Sequence, residues 1–285
     1  MLEIGSRPLL MGIVNATPDS FSDGGDHPSL EARFAYGAAL LEAGADLLDV
    51  GGESASGHRP AVTAATEIDR VVPLIVRLTG ELGALVSVDT YKPEVAEAAI
   101  AAGASLVNDV SGLRDLGVAD VCAATGAGLV VMHTRVEPKG TLLDPEHYDD
   151  VVADVTGFLR ERMDAAIVRG VAPEQILLDP GPDFAKTPAQ TVAALRAIEP
   201  LRALGRPLLW AVSNKDFVGA ITNRGPRERL AGTLAAVAHG ADAGAAVLRV
   251  HDVAAAADFL RVRAVLGGEV ELAPGEGLTP DRYPA

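Results

Sequence analysis

Eight times between residues 9 and 266, a short apolar run of strand length gives way to a helix-length segment rich in Ala, Leu, Glu and Arg. The strand-like runs are 9–14, 46–50, 84–89, 105–109, 128–133, 175–179, 207–212 and 245–250. The helix-length segments are 30–43, 63–82, 93–102, 115–125, 149–169, 188–204, 226–239 and 253–266. Short apolar runs of this kind are the mark of parallel strands buried on both faces. Eight strand–helix units in about 260 residues match a single-domain α/β (β/α)8 barrel, the TIM barrel. A doubly wound open sheet is the main rival, but no strand is followed by a Gly-x-Gly-x-x-Gly turn. Thr63 ahead of Glu67, and Lys92-Pro93-Glu94, place a capping residue or a proline at a helix start. Residues 1–267 are expected to form the barrel, and residues 268–285, with Pro274, Pro280 and Pro284, a loose C-terminal tail.

Composition narrows the function classes. Hydrophobic residues at 48% and charged residues at 22% describe a globular chain, not a disordered one. No apolar run approaches the ~20 residues of a membrane span, and Met1-Leu2-Glu3-Ile4 is not a signal peptide. Cys122, the only cysteine, leaves no intrachain disulfide and no cysteine-based metal cluster, and is expected to be a buried thiol. A cytoplasmic location follows, with no membrane partner. The net charge of -15 lacks the basic footprint that nucleic acid requires. It also gives meaning to any local basic cluster, because an anionic ligand must be gathered against the field of the whole chain.

The strand ends carry the chemistry. Asn15, Asp49 with Gly51-Gly52-Glu53-Ser54, Asp89-Thr90, Asn108-Asp109, Met132-His133, Asp179-Pro180-Gly181, Ser213-Asn214-Lys215 and Arg249-Val250-His251 all finish or follow apolar strands. In a barrel these ends open on one face, where active sites sit. One Asp after a strand is commonly a helix cap; eight polar strand ends on one rim are not explained by capping. Asp89, Asn108, Asp179 and Lys215 mix acceptors and donors suited to the edge of a flat, neutral heterocycle with amino and carbonyl groups. A buried Lys–Asp ion pair is the alternative for Lys215 and Asp179. Asn15, Arg249 and His251 offer donors suited to phosphate. The six histidines include no His-x-x-x-His or His-Glu-x-x-His spacing, which argues against zinc. Mg2+ carried in with a diphosphate is compatible, with Asn15 as an oxygen ligand. The loop after Asn15, about ten small, polar and turn-forming residues to Gly25, exceeds the usual strand-to-helix connection of about 2–6 residues.

These residues resemble a known family. Met11-Gly12-Ile13-Val14-Asn15-Ala16-Thr17-Pro18-Asp19-Ser20-Phe21-Ser22-Asp23-Gly24-Gly25 is similar to the first signature of dihydropteroate synthases, and Asp49-Val50-Gly51-Gly52-Glu53-Ser54 to the second. Ser87-Val88-Asp89-Thr90, Asn108-Asp109-Val110-Ser111-Gly112, Asp179-Pro180-Gly181 and Arg249-Val250-His251-Asp252 follow in the family's order. The resemblance implies a (β/α)8 barrel, usually a homodimer, that joins 6-hydroxymethyl-7,8-dihydropterin diphosphate to p-aminobenzoate. It implies that Asp89, Asn108, Asp179 and Lys215 hold the pterin, with Met132 and Phe184 beside its ring. Asn15, Arg249 and His251 would hold the diphosphate and its Mg2+, and with Lys215 form the catalytic set. Catalysis in this account is electrostatic, since the chain shows no nucleophile with an obvious base beside it.

The departures from the family's pattern cluster on the acceptor side. Ala55-Ser56-Gly57-His58 stands where the family has Thr-Arg-Pro-Gly, with Arg59-Pro60 displaced; Ser213-Asn214-Lys215-Asp216 replaces Ser-Arg-Lys-Ser; Asp183 and Ala185 stand where glycines are favoured. Ala55, Ser56, Arg59, Ser213, Asn214 and Asp216 therefore form a divergent acceptor set. If Asp216 faces the acceptor's carboxylate at about 4 Å, the repulsion is roughly 1 kcal/mol in water and about 4 at an effective dielectric of 20. That expectation motivates an alternative function: a pterin-binding paralogue with a different acceptor, or without catalysis. In the other arrangement Asp216 points to solvent or pairs with Arg224 or Arg227.

Overall fold

The computed structural model describes residues 5, 7–17, 29–53, 60–271 and 273. Eight parallel strands alternate with helices in chain order: β1 Leu9–Asn15, α1 Leu30–Glu42, β2 Leu47–Gly51, α2 Ala64–Leu82, β3 Val86–Asp89, α3 Pro93–Ala101, β4 Leu106–Asp109, α4 Gly117–Thr125 and β5 Gly128–Met132. There follow α5 Val151–Val168, β6 Ile176–Asp179, α6 Pro188–Arg196, α7 Ile198–Arg202, β7 Leu209–Trp210, α8 Asp216–Thr222, α9 Leu230–Asp242, β8 Val247–Val250 and α10 Val253–Leu266. The strand order is β6-β5-β4-β3-β2-β1-β8-β7, and one parallel bridge between Leu178 and Leu208 brings β6 to β7 and all but closes the ring. The expected single-domain barrel is what forms. Most of the expected tail, residue 272 and residues 274–285, lies outside the described residues.

The period of two along each strand separates two cores. Outward-facing Leu48, Val50, Val88, Val107, Leu129 and Leu178 pack with Leu40, Leu74, Ile75, Leu78, Val95 and Leu159 of the helices. Inward-facing Leu9, Met11, Leu47, Leu106, Val130, Leu177, Leu209 and Val247 fill the barrel. Burying each such side chain contributes about 1.5–3 kcal/mol. The same alternation, continued toward the carboxyl ends, turns Asp49, Asp89, Asn108, Asp179 and Arg249 inward above that apolar plug. Parallel pairing in register sets Asp89 beside Asn108, Ile13 beside Asp49, and Met132 beside Asp179.

Local signals decide the helix ends. Ser29, Thr63, Asp150 and Thr187 accept backbone N–H bonds at the starts of α1, α2, α5 and α6, and Pro93 opens α3. Three boundaries differ from expectation. Segment 188–204 is two helices, because Pro200 has no N–H for the Arg196 carbonyl and its ring crowds that carbonyl, so the chain breaks at Ala197. Segment 226–239 opens as a 3-10 turn, Pro226–Glu228, before α9. The additional helix α8 occupies the loop after β7. Cys122 is buried in α4, and burial pushes its thiol up to about 12, which leaves it inert.

Candidate active site

Nine side chains singled out from the strand ends line one cavity of about 270 Å³ at the carboxyl face of the barrel: Asn15, Asp89, Asn108, Met132, Asp179, Phe184, Lys215, Arg249 and His251. A wider cavity of about 570 Å³, lined by Ser213, Asn214 and the turn at Gly225–Glu228, borders it and shares Lys215, Arg249 and His251. Ala55, Ser56 and Arg59, together with loop residues 18–28, lie outside the described residues.

Electrostatics knit the inner cavity. Arg249 Nε donates to Asp49 Oδ2 at 2.6 Å, and Nη2 donates to Asp89 Oδ2 at 2.9 Å. Asn108 Nδ2 donates to the same Asp49 oxygen at 3.1 Å. Burial works against the Arg249 charge, but Asp49 and Asp89 outweigh it and hold the guanidinium above its usual range. Burial likewise pushes Asp89 up, against the pull of Arg249. Asp49, fully buried, is the pivot of this network, yet in the sequence it passes for one more acidic strand end; only the register shows that it faces inward beneath Asp89.

Asp179 accepts from the Gly181 N–H at 2.7 Å, and burial raises its pKa against that bond and the Lys215 charge. Lys215 is lowered by burial, opposed by Asp183 and Asp179, and its ammonium lies 4.4 Å from the centroid of the Phe184 ring. Among the described residues no direct ion pair joins Lys215 to Asp179, so the two stand as separate groups on one cavity wall. Asn108 Oδ1, Asp49 Oδ1 and Ser87 Oγ are buried with no hydrogen-bond partner. Such acceptors cost about 1–3 kcal/mol each, and of the three Asn108 lines the cavity, where a ligand that brings an N–H donor would satisfy it.

The loop after β6 is shaped by backbone conformation and by one lysine. Gly181 adopts φ 64°, and a Cβ there would lie 2.0 Å from the His133 carbonyl oxygen, so only glycine fits. Asp183 and Ala185 also adopt positive φ, 65° and 53°, which accounts for the family's preference for glycine at both. Asp183 offsets its strain by accepting the Asp216 and Phe217 N–H groups at the start of α8, while Thr191 Oγ1 donates to its other oxygen. Lys186, 1% exposed, donates to the carbonyls of Gly181 and Phe184 and to His133 Nδ1 at 2.7 Å. His133 Nε2 in turn donates to Asp154, which also receives Arg135. Burial drives Lys186 down to about 7 and His133 down to about 4. Lys186 did not stand out in the sequence, because a lysine seven residues past a strand reads as a solvated side chain, and His133 was only one of the strand ends.

Glu53, at the foot of the loop after β2, is held by Lys92, Lys139 and Tyr91. Burial works against its charge, but the two lysines outweigh that and keep it ionised.

The acceptor side differs from expectation in two respects. Asp216 does not line either cavity. Its carboxylate is 83% exposed and pairs with Arg229 Nη1 at 2.8 Å, not with Arg224 or Arg227, so the repulsion expected of it is not exerted. Its side chain leaves the first turn of α8 toward solvent and Arg229, while Asp183 accepts the Asp216 and Phe217 N–H groups. The second correction concerns nucleophiles: Ser213 does lie beside a base. Its hydroxyl accepts the His251 backbone N–H at 3.2 Å and lies 2.9 Å from His251 Nδ1. In the tautomer in which Nδ1 accepts from the hydroxyl, the proton sits on Nε2 and the imidazole presents it as a donor. Asn214, in the left-handed region at φ 57°, is tied to Thr233 through its backbone N–H and its side-chain oxygen.

Comparisons with known proteins agree on one relationship. A family model described as "Pterin binding enzyme" matches residues 11–251. The dihydropteroate synthase of Bacillus subtilis is 40% identical over 253 residues, covering 88% of this chain and 86% of that protein. A structure of Xanthomonas albilineans dihydropteroate synthase with 4-aminobenzoic acid superposes with a TM-score of 0.84 at 46% identity, covering 92% of this chain and 93% of that one. The same enzyme in complex with 7,8-dihydropteroate gives a TM-score of 0.81, covering 92% and 94%.

Proposed function

This chain belongs to the pterin-binding enzyme family, and we infer that it is a dihydropteroate synthase: it joins 6-hydroxymethyl-7,8-dihydropterin diphosphate to p-aminobenzoate and releases diphosphate, a transferase step of folate biosynthesis. The observation that carries the reading is the single inner cavity, where acceptors and donors for a heterocycle adjoin donors for an anion. The alternative of a different acceptor, or of no catalysis, loses its motive because Asp216 faces solvent and pairs with Arg229.

In this reading the pterin's ring N–H and amino groups reach Asp179 and the unpartnered Asn108 Oδ1, with Asp89 and Lys215 completing its edge and Met132 and Phe184 flanking its ring. The C–O bond to the diphosphate breaks, its electron pair leaving with the diphosphate. The arylamine nitrogen bonds to the pterin methylene carbon and then sheds a proton. Arg249 meets the growing charge with N–H donors beyond the two already used, and His251 with Nε2–H. Among the described residues no group of three His, Cys, Asp or Glu side chains is arranged to hold a metal. Mg2+ commonly takes one or two protein oxygens and fills its shell from phosphate and water. Asn15, on the cavity wall, suits that role, and bound Mg2+ would supply neutralising charge to the diphosphate.

No described helix is long and apolar enough to cross a membrane, which supports a cytoplasmic enzyme. Exposed Ile221, Leu230, Val262 and Leu266 on α8, α9 and α10 support a homodimer that buries such side chains. Purified protein given the pterin diphosphate, p-aminobenzoate and Mg2+ should form dihydropteroate and diphosphate in equal amounts. No turnover at millimolar acceptor would overturn the assignment.

A further inference from the structure

Resting on that reaction, we propose that Arg227, on the turn between α8 and α9, is the residue that selects an acceptor bearing a carboxylate. The para arrangement of the acceptor forces the geometry. Its amine must reach the pterin methylene at the inner cavity, so its carboxylate sits at the opposite end of the ring, in the wider cavity bounded by Asn214 and Gly225–Glu228.

The polar groups there are otherwise engaged. Ser213 is held by His251, Asn214 by Thr233, and the amides at the start of α8 by Asp183. Arg249 is bound by Asp49 and Asp89, and Lys215 lies over Phe184. Glu228, the carboxylate on this wall, turns back to the Gly225 N–H and to Arg224. Arg227 lines the cavity and, among the described residues, makes no hydrogen bond or ion pair. A guanidinium offers paired N–H donors that match a carboxylate, and the N–H donors that Arg249 has left are, in that reading, turned to the diphosphate. In a chain of net charge -15, one uncommitted cation at the cavity mouth is enough to discriminate a charged acceptor from a neutral one.

The test measures binding and turnover separately. Calorimetry reads the affinity of p-aminobenzoate, and of its neutral carboxamide, for wild-type, Arg227→Gln and Arg227→Lys proteins saturated with 6-hydroxymethylpterin and inorganic diphosphate. Arg227→Gln should weaken p-aminobenzoate about three- to tenfold, the range of one partly exposed charge-assisted contact. It should leave the carboxamide and the diphosphate within twofold, and Arg227→Lys should recover part of the loss. An unchanged p-aminobenzoate affinity, an equal loss for the carboxamide, or a loss confined to diphosphate overturns the proposal. These readings hold whether or not product forms: wild-type protein that binds p-aminobenzoate through Arg227 without turnover overturns the reaction alone, and no p-aminobenzoate binding overturns both. Arg227 is exposed and, among the described residues, makes no hydrogen bond or ion pair, so its variants should keep the wild-type melting temperature, which checks the fold.

Discussion

Around the inner cavity most of the working residues stand on strands, with Phe184 and Lys215 on the loops beside them. Asp49, Asp89, Asn108, Asp179 and Arg249 occupy ladder positions, each paired in register or cross-linked by a side chain at 2.6–3.1 Å. On the acceptor side they stand on loops and short turns between β7 and α9, where Ser213, Asn214, Asp216 and Arg227 take their places from caps, left-handed residues and surface ion pairs. A side chain on a ladder cannot turn away without breaking the sheet, so the pterin side tolerates little. A side chain on a loop can be redirected by one new cap, and Asp183 does this to the start of α8. Divergence therefore collects where redirection is cheap, and it need not alter the chemistry.

The largest expected effect breaks the pterin side. Arg249→Met strands Asp49 and Asp89 in the barrel, and losing one partner of such a buried pair costs about 3–5 kcal/mol. Urea unfolding should register that loss together with the loss of turnover. A stability within about 1 kcal/mol of wild type, the range of a surface change, would show that these carboxylates are not dependent on Arg249.

An intermediate effect concerns what holds the loop after β6. The unfolded chain protonates His133 near 6.5, whereas the folded protein resists down to about 4. Between those values the unfolded state binds more protons, so stability falls as pH falls through this window, by roughly 3 kcal/mol at the limit. His133→Gln removes that linkage: the wild type should lose more stability than the variant between pH 6.5 and 4.5. Parallel pH profiles would refute the role given to His133.

The smallest effect sharpens the acceptor side. Asp216→Ser removes the exposed carboxylate of an ion pair whose buried Arg229 keeps the Asn214 and Arg224 carbonyls, and should change stability by about 0–1 kcal/mol, with the KM for p-aminobenzoate moving less than twofold. A tenfold fall in that KM would mean that Asp216 does face the acceptor.

Much of the fold could be read directly. The eight apolar runs and their helices set the barrel, and the polar residues ending those runs include Asp89, Asn108, Asp179 and Arg249 of the inner cavity, because period-two alternation carries an inward-facing position along a strand without reference to the rest of the molecule. Asp49 and His133 were named as strand ends but given no role, because only pairing with β1 and β3 shows which way Asp49 points and only the fold sets His133 between Lys186 and Asp154. Lys186 escaped notice because a buried lysine is recognisable only through the three acceptors the fold assembles around it. The partner of Asp216 was misjudged by residue: Arg229 reaches it because α9 packs against α8, with Gly219 leaving space for the guanidinium.

By itself the sequence determined the architecture, the face on which the polar strand ends gather and the strand-borne residues of the inner cavity, since all three follow from patterns that repeat along the chain. Tertiary structure alone decided which charges cancel: that Arg249 is shared by Asp49 and Asp89, that Asp183 caps α8, that Asp216 is neutralised outside the cavity and that Arg227 is left uncommitted beside it. The physical reason is range. Strand alternation and helix capping act over a few residues, whereas a charge is satisfied by whichever partner the fold brings within about 3 Å, at any distance along the chain.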